Sequence, residues 1–276
     1  TRGPEYSRSF KEIISEAKQL TANGAKEITL IGQNVNAYNF KNKKLSDLIY
    51  EIDKLRDLKR IRYTTSHPND VTEDLIKAHE YCNKLMPLLH LPVQSGSSKI
   101  LKAMNRKHDL EHYHGIIEKL QMAKKTIKFS SDFIIAYPNE SDNDFKATLA
   151  LMQKIKFINS YSFLFSPRPG TPSSDLKMID NNIAKKRLLI FQSLADKIKK
   201  EYRSKLISTK AKVLFENKLS DGSKYFGRDE YSNSVIVESK RDLVGKIFDV
   251  EIKKFNHNTL FGEIKFNNEI SKGVAA

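Results

Sequence analysis

Glu27-Ile28-Thr29-Leu30-Ile31-Gly32 is predicted to be a short apolar strand, because it follows an amphipathic helix and ends in glycine. The same alternation of helix and strand continues far along the chain. Strands are predicted at 60–65, 88–93, 129–136 and 161–165, and helices at 10–20, 45–55, 72–83, 97–104, 109–125 and 141–156. Strands that recur with helices between them are typical of βα units in a parallel sheet.

The class of parallel fold is narrowed by two missing motifs. The sequence contains no GxGxxG fingerprint and no Walker A loop, which argues against a nucleotide-binding Rossmann or P-loop protein. We therefore predict an α/β fold, an open or closed (β/α) barrel. Its first helix is predicted to begin with a capping box formed by Ser9 and Glu12, and its last helix is predicted to be capped by Ser141.

The pattern changes near residue 207. A long helix at 182–207 carries an apolar face of Ile190, Leu194, Ile198 and Tyr202, and a basic face of Lys185, Lys186, Arg187, Lys199, Lys200 and Arg203. That basic face is either solvated or in contact with RNA. Short strands with turn residues between them follow, which predicts a small antiparallel β-barrel. The expected domains are 1–207 and 208–271.

Charge and cysteine content bound the function. The net charge is +15, which reflects either surface lysines without a partner or binding of a polyanion. Cys82 is the single cysteine, so the chain alone cannot form an internal disulfide or a cysteine-rich metal site. His79 lies one turn before Cys82, and half of a metal site there is a minor alternative. No apolar run approaches the roughly 20 residues of a membrane span, and a cytoplasmic location with no membrane partner is expected.

Polar loops are expected to share one rim, because ligands of a parallel barrel bind at the carboxyl ends of its strands. Five such loops follow the predicted strands: 32–36, 66–70, 94–97, 137–140 and 166–170. They offer amides and hydroxyls, which suit a neutral or zwitterionic ligand. The acids near this rim are Asp132 and Glu140, and either one can instead be structural. A site without its own acid–base pair suggests that a cofactor performs the difficult step.

Three segments carry a family resemblance. Residues 31–38, 90–97 and 166–172 together resemble the MiaB-type tRNA methylthiotransferases, which are radical S-adenosylmethionine enzymes. Residues 1–8 resemble the stretch that directly follows the CxxxCxxC loop of that family. Phe226-Gly227-Arg228 and Leu243-Val244-Gly245-Lys246 resemble its TRAM domain, an OB-like RNA-binding barrel. One departure is Ala136-Tyr137-Pro138-Asn139-Glu140, where the family usually reads Gly-Phe-Pro-Gly-Glu.

The resemblance implies methylthiolation of an N6-dimethylallyladenosine beside the tRNA anticodon, with S-adenosylmethionine and [4Fe–4S] clusters as cofactors and tRNA as partner. The implied cofactor-binding residues are Ser7, Arg8, Gln33, Asn34, Gln94, Ser95 and Asp132. The implied RNA-binding residues are Arg168, Arg228 and Lys246.

The cluster cysteines and the first barrel strand of the family are missing from this sequence. We therefore expect a partial barrel with an exposed strand edge, no metal ligand in this chain, and no activity of the chain alone. An N-terminal fragment is the expected carrier of the cluster. The alternatives are a non-catalytic RNA-binding module, a methylthiotransferase with another substrate, and a barrel enzyme acting on a small metabolite. Tyr225, Phe226 and Phe261 of the tail either stack on bases or form its core.

Overall fold

The structure is a computed structural model that describes residues 6–64, 66–167, 169–170, 173, 176–220 and 222–266. The chain divides into two compact units, Thr1–Tyr202 and Arg203–Ala276. Within the residues that the structure describes, no helix has the length and apolarity needed to cross a membrane.

The first unit contains seven strands and seven helices among its described residues. The strands are β1 (Glu27–Leu30), β2 (Asn39–Phe40), β3 (Lys43–Lys44), β4 (Arg60–Tyr63), β5 (Leu88–His90), β6 (Lys128–Ile135) and β7 (Asn159–Leu164). The helices are α1 (Phe10–Ala22), α2 (Leu45–Asp53), α3 (Glu73–Tyr81), α4 (Ser98–Ala103), α5 (Leu110–Ala123), α6 (Asp142–Ile155) and α7 (Asn181–Ser204), of which α7 ends two residues into the second unit.

Five parallel segments form one arc. β1 pairs with β4, and β5, β6 and β7 pair in that order, all in parallel. Leu85 joins the two groups, because it forms a parallel bridge to Ile61 three residues before β5 begins. Among the described residues β1 pairs with β4 alone, so its other edge is open. The predicted partial parallel barrel with an exposed edge is therefore confirmed.

The helices cover one face of this arc. Phe133 of β6 is fully buried and contacts the rings of Phe157 and Phe191, with centroids 5.6 and 4.8 Å away. Residues of β6 alternate accordingly: Ser131, Phe133 and Ile135 are buried, whereas Asp132 and Ile134 are half-buried on the opposite face. The arc therefore has a helix-covered face with the core and an inner face that is more accessible.

The predicted capping box of α1 is wrong, because the Ser9 side chain makes no capping hydrogen bond. The predicted apolar face of α7 is wrong only at Ile190, which is exposed, whereas Ile198 is buried and Leu194 and Tyr202 are half-buried. Ala184 and Phe191 complete the buried stripe of this helix. Ser141 caps α6 as predicted and forms a capping box with Asp144.

The second unit is a closed five-stranded barrel. Its strands are β8 (Lys210–Lys218), β9 (Lys224–Arg228), β10 (Ser234–Glu238), β11 (Ile247–Phe255) and β12 (Thr259–Glu263), in the order β10-β12-β11-β8-β9. Four of the five pairings are antiparallel, and β10 with β12 is parallel. Gly227 permits the close approach of β8, since a Cβ there would lie 2.4 Å from the Leu214 carbonyl oxygen. The OB-like barrel is confirmed, although β9 and β12 were not predicted.

Candidate functional site

A cavity of about 270 Å³ opens at the carboxyl ends of the parallel strands. Its wall, called the rim cavity below, consists of Gln33, Asn34, Ser66, His67, His90, Pro92, Gln94, Arg106 and Asp132. Three of the five predicted loops, 32–36, 66–70 and 94–97, therefore meet at one place. The loop 137–140 does not contribute to this wall, and Arg168 lies outside the described residues.

Two asparagines join the first two loops. The Asn36 side chain donates to the His67 carbonyl and accepts from the His67 backbone N–H, both at 2.8 Å. The Asn34 amide donates to Asp70 Oδ2 at 2.7 Å. Because each bond crosses more than thirty residues of sequence, the rim is held by tertiary contacts before any ligand arrives.

Several polar atoms of the wall are buried without a hydrogen-bond partner among the described residues. They are Asn34 Oδ1, Ser66 Oγ and Arg106 Nε. An unsatisfied buried polar atom costs about 1–3 kcal/mol, so a cluster of them in one wall is typical of a site that awaits water or a ligand. The Asn34 amide oxygen and the Ser66 hydroxyl can accept hydrogen bonds from a cationic group, and the Arg106 guanidinium can donate to an anionic one. This combination fits a zwitterionic ligand.

Arg106 is the residue that the sequence analysis missed. It lies in the Asn105-Arg106-Lys107-His108 turn between α4 and α5, away from any strand end, so the rule that predicted the loops did not reach it. It is half-buried, and burial lowers the pKa of its guanidinium, although an arginine side chain stays protonated in proteins. Arg106 is the single arginine or lysine in the described wall, and it supplies that wall with a fixed positive charge.

The two histidines beside Arg106 are neutral near pH 7. Burial lowers the pKa of His67 despite the opposing effect of Asp70, and burial lowers the pKa of His108 to about 4. Their rings meet edge to face with centroids 5.6 Å apart. The local positive charge therefore comes from Arg106 rather than from imidazolium groups.

Gln94 is held in a left-handed conformation, with φ of 75°. Its backbone N–H donates to the Asp132 carbonyl and its own carbonyl accepts from Ile134, at 3.0 and 2.9 Å. α6 supports the following turn: Thr148 Oγ1 accepts from the Gly96 N–H at 2.9 Å, and Ser97 Oγ donates to Asp144 at 2.7 Å. The strain of a non-glycine residue at positive φ, about 1–2 kcal/mol, is thus offset by contacts with β6 and α6.

Asp132 faces the rim cavity and is half-buried. Its Oδ1 lies 3.5 Å from His90 Nε2, while His90 Nδ1 shares a hydrogen bond with Ser130 Oγ at 2.9 Å. Glu140, in contrast, is structural, since Arg187 donates to its Oε2 at 2.8 Å and to its carbonyl at 2.9 Å. Asp132 is consequently the carboxylate available at the rim.

Ser95 lies apart from the two cavities of this unit that are described. It is fully buried, and its Oγ accepts from the Ser97 backbone N–H at 3.2 Å. The structure gives Ser95 a role in shaping the turn that carries Gln94.

Ser7 and Arg8 line a second, larger cavity of about 720 Å³ beside β1, called the edge cavity below. Gln33 and Asn34 belong to the walls of both cavities. Ser7 Oγ accepts from the Asn39 N–H at 3.2 Å, and Arg8 Nη1 contacts Glu16 Oε2 at 2.8 Å. The shared wall places Ser7 and Arg8 in the neighbourhood of the rim.

The described residues do not fit a [4Fe–4S] cluster. Such clusters need several thiolates, whereas Cys82 is the one cysteine of the sequence, and burial raises the pKa of its thiol to about 11. The minor metal-site alternative is also unsupported, because His79 Nε2 shares a 2.7 Å hydrogen bond with the Tyr63 hydroxyl. Among the described residues no cluster of three or more ligating side chains occurs.

The two described RNA-binding candidates of the second unit have intramolecular contacts. Arg228 Nη1 contacts Glu216 Oε2 at 2.5 Å and its guanidinium lies 5.2 Å from the Phe226 ring centroid. Lys246 Nζ donates to the Asp242 carbonyl at 2.8 Å. Tyr225 is buried in the barrel core, whereas Phe226 and Phe261 are half-buried. Phe226 and Phe261 thus remain accessible at the barrel surface.

Comparison with known proteins agrees with this geometry. Residues 1–152 match the model of the Radical SAM superfamily, and residues 209–265 match the TRAM domain. A protein named tRNA-2-methylthio-N(6)-dimethylallyladenosine synthase from Pelagibacter ubique (strain HTCC1062) is 54% identical over 96% of this chain and 60% of its own length. Proteins of the same name from Rickettsia canadensis (strain McKiel) and Wolbachia pipientis subsp. Culex pipiens (strain wPip) are each 46% identical, over 96% and 95% of this chain and 61% of their own lengths.

The chain thus spans about three fifths of the length of these curated relatives. Among solved structures, the radical S-adenosylmethionine methyltransferase TsrM from Kitasatospora setae matches 60% of this chain and 33% of its own, with a TM-score of 0.48 and 14% identity, a likeness too remote to support an inference. The family model covers more than half of the sequence and includes every residue of the rim cavity wall. The chain belongs to the Radical SAM superfamily and carries a TRAM domain in its second unit.

Proposed function

We propose that this chain is the part of a tRNA methylthiotransferase that binds S-adenosylmethionine in the rim cavity and contributes to holding the tRNA. The observation that carries the proposal is the rim cavity itself, where Arg106 shares the wall with Asn34 Oδ1 and Ser66 Oγ, two buried atoms with no hydrogen-bond partner in the described part of the chain. The relatives that bear the name of such a synthase support the choice of reaction class.

Each wall residue has a chemical counterpart in the cofactor. The Arg106 guanidinium binds a carboxylate through paired N–H donors. Asn34 Oδ1 accepts from an ammonium group, and Asp132 accepts from the vicinal hydroxyls of a ribose. The Gln94 side chain, whose backbone is fixed by β6, donates to and accepts from the same ribose hydroxyls. The zwitterionic methionine end is thus recognised by Arg106 and Asn34, and the nucleoside end by Gln94 and Asp132.

S-adenosylmethionine supplies radical chemistry when it is bound at an iron–sulfur cluster. This chain contributes orientation: charge pairing at one end of the cofactor, hydrogen bonds at the other, and a fixed turn between them. Because the cluster thiolates have to come from polypeptide outside these 276 residues, we expect the chain by itself to bind S-adenosylmethionine without turning it over.

The RNA is the second part of the proposal. The TRAM domain and the relatives' names favour tRNA as the partner, and the cytoplasm as the location. The net charge of +15 is the electrostatic contribution expected for contact with phosphates. Arg228, Lys246 and Arg168 remain candidate contacts.

Calorimetric titration of the chain with S-adenosylmethionine tests the proposal. We expect Arg106→Gln to weaken binding by tenfold or more, since a charge-assisted bond contributes about 1.5–3 kcal/mol. Arg56→Gln removes an exposed arginine away from the cavity and serves as the matched control, with unchanged affinity. Equal affinity of the Arg106→Gln variant and the unaltered chain would contradict the assignment.

A non-catalytic RNA-binding module is the second candidate, and the closed TRAM barrel favours it. The same titration separates the two. A chain that binds tRNA in a salt-dependent manner but binds no S-adenosylmethionine supports the module.

A further inference from the structure

β7 presents two large aromatic side chains to solvent. Tyr161 is 54% exposed and Phe163 is 58% exposed, whereas strands of a parallel sheet are ordinarily buried on both faces. Ser160 and Ser162 occupy the alternate positions, and Ser160 Oγ contacts Met152 of α6. Tyr161 and Phe163 therefore lie on the inner face of the arc, opposite its helices.

This aromatic pair is continuous with the rim cavity. In the parallel register Tyr161 lies beside Asp132 and Phe163 beside Ile134. The Tyr161 ring meets the His90 ring at a centroid distance of 6.1 Å, edge to face. His90 and Asp132 are both wall residues of the rim cavity, so the exposed rings begin where the candidate cofactor site ends.

The side chains on the inner face of β7 indicate which kind of ligand it can bind. Two aromatic rings and Ile134 offer flat apolar surface for stacking and for burial of a branched hydrocarbon. Asp132 and His90 add hydrogen-bonding groups at one border. A base gains affinity by stacking on an aromatic side chain, and a hydrocarbon substituent gains more by leaving water. A planar nucleobase with a short alkenyl substituent matches both parts of this surface.

We propose that the inner face of β7, formed by Tyr161 and Phe163, binds the N6-dimethylallyladenine of the RNA substrate and sets the preference for the prenylated base. This inference rests on the proposed function, because it places the substrate base beside the bound cofactor. Base binding would explain why Tyr161 and Phe163 are exposed to solvent and why neither ring packs in the core of the sheet.

The test uses an anticodon stem–loop with either adenosine or N6-dimethylallyladenosine at the modified position. We expect the chain to bind the prenylated stem–loop about tenfold more tightly, measured by fluorescence anisotropy. Tyr161→Ala combined with Phe163→Ala is expected to reduce this ratio to near one while binding of the unmodified stem–loop changes less than threefold. Tyr81→Ala removes an equally exposed tyrosine on α3 and is expected to keep the ratio.

A direct reporter is available because the sequence contains no tryptophan. Tyr161→Trp places a single indole on the inner face, and we expect saturable quenching of its fluorescence by the prenylated stem–loop. Tyr81→Trp is the matched control and is expected to show no saturable quenching. Quenching at residue 81 alone, a wild-type ratio near one, or an unchanged ratio in the double variant would each overturn the proposal.

Failure of this inference is distinguishable from failure of the proposed function. The double variant is expected to bind S-adenosylmethionine as the unaltered chain does, since neither ring belongs to the rim cavity wall. Cofactor binding without base preference overturns the β7 proposal alone. Base preference that depends on Tyr161 and Phe163, without any cofactor binding, supports the β7 face and overturns the cofactor assignment.

Discussion

Gly96 shows how one residue fixes the candidate site. A Cβ at this position would lie 2.4 Å from Thr148 Cα and 2.6 Å from the Ala147 carbonyl oxygen, so α6 packs directly on the turn that carries Gln94. Both obstacles are backbone atoms, which cannot rotate away as a flexible side chain can. The close approach therefore requires glycine here.

Gly96→Ala is expected to lower the free energy of unfolding by about 1–3 kcal/mol and to weaken S-adenosylmethionine binding, because α6 or the turn has to move. Urea denaturation and calorimetry measure the two effects. Gly115→Ala is the control: apart from the local backbone of α5 and the two adjacent residues, no atom lies within 4 Å of a Cβ at this position, and alanine should stabilise the helix by up to about 1 kcal/mol. Equal stability of the Gly96→Ala variant and the unaltered chain would contradict the packing account.

Buried His79 makes stability depend on pH. Burial lowers its pKa from 6.5 to about 3, with a smaller contribution from Lys124. Between these pKa values the unfolded state binds a proton at His79 and the folded state does not. The contribution of neutral His79 to the free energy of unfolding is therefore present above pH 6.5 and is lost as pH falls toward 3. Between pH 7 and 5 the loss is about 2 kcal/mol.

We expect His79→Gln to flatten the dependence of unfolding free energy on pH between 7 and 5 by up to one proton, whatever its effect at pH 7. Urea denaturation at several pH values gives the slope. His112→Gln, an exposed substitution on α5, should leave the slope unchanged. A slope that His79→Gln does not alter would argue against a buried neutral imidazole.

At the scale of elements, Arg187 ties α7 to the loop after β6. Besides Glu140, it contacts Asp142 Oδ1 at 2.6 Å and lies 5.6 Å from the Phe145 ring centroid. Glu140 Oε2 in turn accepts from the Ala136 N–H at 3.1 Å, and Ala136 has a φ of 60°. The ion pair thus supports a turn in which a non-glycine residue has a positive φ.

Arg187→Met is expected to cost about 3–5 kcal/mol, because it leaves the Glu140 carboxylate buried without its partner. Thermal or urea unfolding checks the value. The neighbouring Lys186→Met changes an exposed charge and should stay within about 0.5 kcal/mol. A loss of less than about 1 kcal/mol in Arg187→Met would show that the pair does not hold the turn.

Helix α7 also shows why the buried charges of the fold could not be predicted from the sequence. Helical period predicted the bounds of α7 well, but it assigned Arg187 and Arg203 to the exposed basic face, and both are buried. Their partners lie about fifty residues away, at Glu140 and at the carbonyls of Asn256 and His257. Sequence periodicity assigns a charged residue to the exposed face of a helix. It gives no information on a distant residue that can form a buried ion pair or hydrogen bond with that charge.

At the scale of the whole molecule, charge is unevenly distributed along the sequence. Residues 1–207 contain 36 basic and 23 acidic residues, whereas residues 208–266 contain 11 and 9. Most of the net positive charge therefore lies outside the TRAM domain. Long-range attraction of RNA follows the summed charge, so the barrel alone is not its main source.

We expect the double change Lys185→Glu and Lys186→Glu on α7 to weaken tRNA binding more than Arg228→Gln with Lys246→Gln. Both lysines are exposed, while Arg228 and Lys246 already have intramolecular contacts. Anisotropy titrations at several salt concentrations measure affinity and slope, and each lost phosphate contact lowers the slope by about one. The reverse order of the two double variants would place the main RNA contact on the barrel.

The parallel α/β arc and the small β-barrel could be predicted from the sequence, because apolar periodicity and turn residues are local signals. The loops predicted at strand ends include Gln33, Asn34 and Gln94, and Asp132 is predicted near the rim although it lies inside β6. Arg106 lies on a turn between helices and enters the cavity only through tertiary packing. The loop 137–140 also follows a strand, but it does not line the wall, and its Glu140 pairs with Arg187 instead.

Hydrogen–deuterium exchange of the chain with and without S-adenosylmethionine shows whether the cofactor binds in the rim cavity. We expect the cofactor to slow exchange in peptides that cover 32–36, 66–70 and 94–97, the three loops that meet at the rim cavity, and in the turn around Arg106. Unchanged exchange in all four segments, or protection confined to the β-barrel of 208–266, would contradict the account.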